Sequence, residues 1–232
     1  TFTDNGNGTG VITIAPGNTI GSFTGITVAA VDNFNSSSSV QFNISVSDKD
    51  ISTYYVNFNQ VLPVSSPWNN FNSAPAAGTA ISNITDEAGT ASGISVTLVD
   101  AWDNANEVGA TTGNNSGVYP DDVMKTAYFT NTTTAKRISI SGLSTVAGVK
   151  YNLVFFASRG GVSDNRNTIY SYNGQSVTLN AANNTTNTVQ LQGIVPNASG
   201  IIEFTAQKDV AAAFGYINAL VIQSYVDNGL PI

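Results

Sequence analysis

Apolar residues recur at every second position in short runs along most of this chain, which is the period of half-buried β-strands. In the first fifty residues the runs are Val11-Ile12-Thr13-Ile14, then Gly25 to Val31 with Ile26, Val28 and Ala30 on one face, then Val40, Phe42, Ile44 and Val46 on one face. Between them lie Asp4-Asn5-Gly6-Asn7-Gly8 and Asp32-Asn33-Phe34-Asn35 followed by four serines, residue types that tolerate turn conformations. Three strands are too few for a sandwich. Their apolar face needs a second layer, which is expected upstream in a longer polypeptide.

Asp48-Lys49-Asp50 is a charge cluster, and a new alternating run, Tyr54-Tyr55-Val56-Asn57-Phe58, starts just after it. A domain boundary is therefore expected near Asp50. Beyond it the pattern predicts strands near Ile94–Val99, Thr126–Phe129, Arg137–Ser141, Tyr151–Ser158, Ile169–Tyr172, Gln175–Leu179, Thr188–Leu191, Ile201–Ala206 and Ile217–Gln223. No segment longer than a turn or two has helical periodicity with caps, which disfavours parallel α/β folds with their crossover helices. The expected architecture is all-β: a partial Ig-like sandwich in residues 1–49, a β-sandwich jelly roll in residues 50–225, and a linker in residues 226–232.

Composition narrows the chemistry. Hydrophobic residues make up 41% of the 232 residues, enough for a real core, while charged residues are only 10%. The surface is instead built from Ser, Thr, Asn and Gly, as is common in exported bacterial β-proteins. A net charge of −7 with eight Lys and Arg leaves no basic surface for nucleic acid. No apolar run approaches the roughly 20 residues needed to insert in a membrane as a helix. Without cysteine there is no thiol nucleophile and no Cys-based metal site, and without histidine the Ser-His-Asp, Cys-His and histidine-metal templates fail. The surviving catalytic template is a glycosidase-type carboxylate pair drawn from Asp86, Glu87, Asp100, Asp103, Glu107, Asp121, Asp122, Asp164 and Glu203, and no spacing among them selects a pair.

The segments DNGNGTGVITIAPG and ITVAAVDNFNSSSSVQFNISVSD resemble the second half of cadherin-like and Ig-like repeats of large bacterial surface proteins. Those repeats usually act as spacers, and some bind calcium at their junctions; Asp32, Asp48 and Asp50 are the acidic residues near that position here. From Tyr54 to Gln223 the chain resembles galactose-binding-like jelly rolls, including malectin-like and carbohydrate-binding domains of multidomain exported Bacteroidota proteins. The residues that prompt this include Val56-Asn57-Phe58, Pro67-Trp68-Asn69-Asn70, Tyr119-Pro120-Asp121, Ile140-Ser141-Gly142-Leu143, Tyr172-Asn173-Gly174 and Tyr216-Ile217-Asn218-Ala219-Leu220. The resemblance implies a secreted or cell-surface location, further modules of the same polypeptide as neighbours, and a structural calcium. Asp100, Asp103, Asp121 and Asp122 are hard oxygen donors in loops that suit such an ion, although they complete no EF-hand.

Two sets of residues suit a glycan or cell-surface polysaccharide. Trp68 and Trp102 sit among Pro, Asn and Asp, and Tyr119 precedes Pro120; an aromatic face there can stack on a pyranose, or the ring can instead plug the end of the sandwich. The run Ser158 to Asn167 gathers Arg159, Asp164, Asn165 and Arg166 around two glycines. Its arginines can fork two bonds to vicinal hydroxyls, a uronate or a sulfate, or an Arg–Asp pair can simply fix the loop. Three functions follow in order of preference: a non-catalytic carbohydrate-binding module, a structural or adhesive spacer, and a carboxylate-dependent glycosidase or lyase. An exposed cleft lined by Trp68, Trp102 or Tyr119 favours the first, and burial of those rings favours the second.

Overall fold

The computed structural model describes residues 2–5, 9–12, 21–31, 34–46 and 51–227. The chain divides into two compact units, Thr1–Asp50 with Asp227–Ile232 and Ile51–Val226.

In the first unit β1 (Phe2–Asp4) pairs antiparallel with β2 (Gly10–Ile12), and β3 (Gly21–Val31) pairs antiparallel with β4 (Ser37–Val46). The alternating positions match across the longer hairpin, Ile26 opposite Phe42 and Val28 opposite Val40. Its register shifts between Phe23 and Ile26. There Gly25 takes a φ of 69° and donates its N–H to Asn43 Oδ1 at 3.1 Å, a conformation that a side chain would strain. The expected three-stranded arrangement differs in one respect: among the described residues β2 pairs with β1 and not with the β3–β4 hairpin. Thr13 and Ile14 lie outside the described residues. Val40 is 60% exposed, so burial within the described part of this unit is slight.

The second unit is an all-β sandwich. Its elements in order are β5 (Ile51–Asn57), β6 (Trp68–Asn70), β7 (Ala80–Ile81), β8 (Ser95–Leu98), β9 (Asn104–Asn106), α1 (Asp121–Lys125) and β10 (Ala127–Thr130). They continue with β11 (Lys136–Ser141), β12 (Val149–Phe156), β13 (Asn167–Tyr172), β14 (Gln175–Asn180), β15 (Val189–Ile194), β16 (Ile202–Lys208), β17 (Gly215–Ile217) and β18 (Ala219–Val226). One sheet has the order β14-β13-β16-β11-β8-β7 and the other β15-β12-β18-β5-β6; a small third sheet has the order β17-β10-β9. All pairs are antiparallel except β5 with β6. Strands β11 to β16 cross repeatedly between the two large sheets, in jelly-roll fashion.

The period-two pattern sets both faces of the second large sheet. Tyr54, Val56, Leu153, Phe155, Leu220 and Ile222 join the main core, where they meet Val96, Leu98, Ile138, Ile140, Tyr170, Ile202 and Phe204 of the facing sheet. Phe155 stacks on Tyr170 with ring centroids 4.2 Å apart and 2° between planes, and it touches Phe204 at 5.1 Å. The intervening residues Tyr55, Phe156 and Ala219 point the other way. They form a second cluster with Trp68, Val64, Tyr119, Val123 and Met124, so the short helix α1 and the chain around Trp68 cover the sheet's outer face.

The run Ile217–Gln223, which alternation alone predicts as one strand, is divided at Asn218. Residues before it pair with β10, and residues after it pair with β5 and β12. Asn218 is fully buried, with all four of its polar groups engaged. Its N–H donates to Phe156 O at 3.0 Å, its C=O accepts from Phe58 N at 2.9 Å, its Oδ1 accepts from Ser158 N at 2.8 Å, and its Nδ2 donates to Met124 O at 2.8 Å. An amide in this place lets one strand serve two sheets without leaving a buried donor or acceptor unpaired.

Among the described residues both buried clusters are built from residues of the second unit. A chain of residues 51–227 is expected to unfold in a single cooperative thermal transition followed by circular dichroism. A broad, non-cooperative melt of that fragment would contradict this division.

Candidate functional site

The aromatic residues expected to stack on sugar do not form an exposed platform. Trp68 starts β6, is 8% exposed, and packs against Tyr55 at 5.1 Å and Tyr119 at 5.2 Å. Tyr119 is half-buried, edge-on to both Trp68 and Phe156, and burial pushes its phenol well above the usual range. Trp102 is 4% exposed in the main core, where its Nε1 has no hydrogen-bond partner. The local sequence of Pro, Asn and Asp marks turns correctly, but the rings fold inward from those turns because the outer face of β5 and the end of the sandwich both need apolar cover.

Three of the four carboxylates expected to hold calcium are bound to other groups. Asp100 accepts a fork from Arg137, Nε at 2.8 Å and Nη2 at 2.9 Å, plus the Arg137 backbone N–H at 2.9 Å. The Arg137 hydrogen bonds hold the Asp100 carboxyl down at about 2. Asp103 faces Lys136 at 3.4 Å and accepts the Asn131 N–H at 2.7 Å. Asp121 accepts from Thr112 N at 2.8 Å, Thr112 Oγ1 at 3.0 Å and Asn115 N at 3.2 Å, bonds that keep its carboxyl below the usual range, while Asp122 is exposed. Among the described residues no group of three or more Asp, Glu, His or Cys side chains could hold a metal ion.

The run from Arg159 to Arg166 does come together, and it gathers aromatic residues that the sequence pattern did not single out. Ser158, fully buried, donates its Oγ–H to Asn184 O at 2.7 Å and accepts Ala110 N at 2.9 Å. The Arg159 N–H donates to Ala181 O at 2.7 Å, and its C=O accepts from Asn183 N at 2.8 Å. Gly160 donates to Val108 O at 2.7 Å; a Cβ there would lie 3.2 Å from the Ala110 backbone, so glycine permits this close approach. The backbone beneath the Arg159 side chain is thus clamped between residues 108–110 and 181–184.

Arg166 is the anchor of the corner. Its Nε donates to Asp164 Oδ1 at 2.8 Å, its Nη1 donates to Tyr216 Oη at 2.8 Å, and its guanidinium lies 5.1 Å from the centroid of the Phe214 ring. Burial works against its charge, but Asp164 and Tyr216 outweigh that and hold it protonated. The Arg166 hydrogen bond in turn keeps the Asp164 carboxyl below its ordinary range, with Arg159 adding to the effect through space. Asn165 spends its side chain on the Asn167 N–H at 2.8 Å, and its C=O accepts from Ala213 N at 3.1 Å, which ties the loop to the segment leading to Phe214. Phe214, half-buried, sits 5.7 Å edge-on from Phe129, also half-buried, in β10. Arg166, Tyr216, Phe129 and Phe214 therefore form one cluster on the small β17-β10-β9 sheet, with Asp164 paired to Arg166. The signal for Phe129 and Phe214 was weak, since Phe129 closes an ordinary strand and Phe214 follows a polar turn.

Along β9 of the same sheet lies a cleft of about 220 Å³ lined by Gln60, Val61, Ala105, Asn106 and Glu107. Another, of about 180 Å³, lies between residues 144–150 and 195–198. Both fall below the roughly 300–1,000 Å³ of pockets that enclose a small molecule.

No protein-family model and no curated protein matches this chain. Among solved structures it is similar to Bacteroides uniformis beta-glucuronidase 2 covalently bound to cyclophellitol-6-carboxylate aziridine, at 12% identity over 84% of this chain with a TM-score of 0.42. The chain spans 21% of that protein's length.

Two outcomes follow from this geometry. Trp68→Ala and Trp102→Ala are each expected to lower the unfolding free energy by about 3 to 5 kcal/mol in urea titrations, as for indoles taken from a core. A loss below about 0.5 kcal/mol would mark the ring as a surface group. Because the folded pKa of Asp100 is depressed, the stability it brings is full above the ordinary carboxylate pKa of about 4 and is lost as the pH falls toward 2. The stability difference between the parent chain and Asp100→Asn should therefore shrink over that interval; a difference independent of pH would contradict the pairing with Arg137.

Proposed function

We propose that the second unit is a non-catalytic carbohydrate-binding module, of the galactose-binding-like kind that its sequence resembles, and that it binds through the Arg159–Arg166 corner. The observation that supports this most is the Arg159 guanidinium, with most of its donors unfilled, in a loop tied to a corner that carries two half-buried rings. Guanidinium groups bond the hydroxyls of a sugar, and Phe129 and Phe214 offer apolar edges to its C–H face. The clefts are small, which suits a polysaccharide chain lying on a surface more than an enclosed monosaccharide.

The carboxylates support the non-catalytic reading. A glycosidase needs one acid with a raised pKa to protonate the leaving group, facing a second carboxylate across the bond. Asp100, Asp121 and Asp164 are all shifted down, and Asp100, Asp103 and Asp164 each face a cation.

A spacer without a small ligand is the second reading, and burial of Trp68 and Trp102 favours it, since the aromatic platform expected of a sugar module is not at those positions. The two are separated by affinity electrophoresis of the whole chain in gels containing plant and bacterial polysaccharides. Retardation by at least one polysaccharide, lost in a Phe129→Ala, Phe214→Ala double variant that retains its fold, is the result expected of a binding module. Free migration in every gel would leave the spacer.

A further inference from the structure

Arg159 and Arg166 are not equivalent, and the difference points to the kind of sugar. Arg166 is a structural cation: it is 9% exposed, paired with Asp164, bonded to Tyr216 and covered by Phe214. Its charge and most of its donors are already used. Arg159 has its backbone fixed on both sides, yet its guanidinium makes one long bond, Nη1 to Val108 O at 3.4 Å. Among the described residues no carboxylate lies within ion-pairing distance of it.

Four other cations of this unit are engaged. Lys136 faces Asp103, Arg137 faces Asp100 and Glu203, Arg166 faces Asp164, and Lys208 bonds the carbonyls of Asp209 and Ala212. The unit has fewer basic than acidic residues, so an anion meets net repulsion over most of the surface. Arg159 is tied to the Arg166 corner through Ala181, whose carbonyl accepts the Arg159 N–H at 2.7 Å and whose N–H donates to Arg166 O at 3.2 Å. A guanidinium carried on a clamped backbone, with most of its donors unfilled, has the donor geometry for a planar or tetrahedral anion.

Resting on the carbohydrate-binding reading above, we propose that this site selects anionic saccharides, with the Arg159 fork receiving a uronate carboxylate or a sulfate ester and the Arg166–Asp164 pair serving to position it. The two ligand sources share the same oxyanion and differ in acidity. A uronate loses its charge near the ordinary carboxylate pKa of about 4, whereas a sulfate ester keeps its charge at any pH the protein tolerates.

The test is a binding titration of the whole 232-residue chain against polygalacturonate, its methyl ester, a sulfated galactan and neutral xylan, at low and physiological salt. The expected result is binding to at least one anionic polymer that is tenfold or more tighter than to xylan and that weakens with salt. Arg159→Gln should lose that preference by at least tenfold, with a melting temperature equal to the parent's. If polygalacturonate binds and its methyl ester does not, and binding fades below pH 4, the ligand is a uronate; if the sulfated polymer alone binds and persists at low pH, it is a sulfate. Equal binding of neutral and anionic polymers, unaltered in Arg159→Gln, overturns the anionic preference and leaves the carbohydrate-binding reading standing. Binding of none of the four at millimolar sugar overturns both.

Discussion

One buried amide holds the second unit together. Asn218 stands where a single strand leaves the small sheet and enters a large one, and such a transfer exposes backbone groups that neither ladder satisfies. Its main chain bonds Phe58 and Phe156, and its side chain bonds Ser158 and Met124, so three separate segments converge on one residue. A buried N–H or C=O left unpaired costs on the order of 1–3 kcal/mol, and an apolar residue at this position would leave two.

The same logic repeats around it. Asn57 and Asn59 both donate their side-chain N–H to Asn70 Oδ1, at 3.0 and 3.1 Å, while Asn70 bonds both polar backbone groups of Val64. Asn184 donates to Ala157 O and Asn187 O, and Tyr128 donates its hydroxyl to the carbonyls of Asn59 and Ser73. These amides explain a composition that is poor in charge. Neutral polar side chains can be buried in a hydrogen-bonded frame, whereas ions in the same places would carry a large desolvation cost. The frame ends at Ser158 and Asn184, directly beneath Arg159, and so carries rigidity from the core to the corner.

Strand periodicity was legible because it follows from burial on one side of a sheet. Tyr54 to Phe58, Arg137 to Ser141 and Tyr151 to Ser158 all read correctly from alternation, and all lie centrally in large sheets. What alternation could not show was where a strand changes partners, since Ile217-Asn218-Ala219 differs from its neighbours only by one amide. Nor could it show which loop aromatics turn inward. Trp68 and Trp102 stand in turn-rich sequence, but a large ring near a sandwich end is drawn to whatever apolar face lacks cover, here the outer face of β5 and the space beside Pro75. The arginine corner was partly legible: the Arg–Asp pair that fixes the loop is formed by Arg166 and Asp164, while Arg159 makes one long bond to Val108 O. Phe129 and Phe214 escaped notice because long-range pairing of β10 with β17 brings them together.

The buried amides make residues 158–161 a fixed part of the sandwich and not an ordinary surface loop. Hydrogen exchange of the backbone amides measures this directly. The Ser158, Arg159, Gly160 and Asn218 N–H groups are expected to exchange as slowly as those of central β12 and β18, and only through global unfolding. Exchange of these four at the rate of the exposed 131–134 turn would contradict the account, because the corner would then lack the support that the asparagine frame is argued to provide.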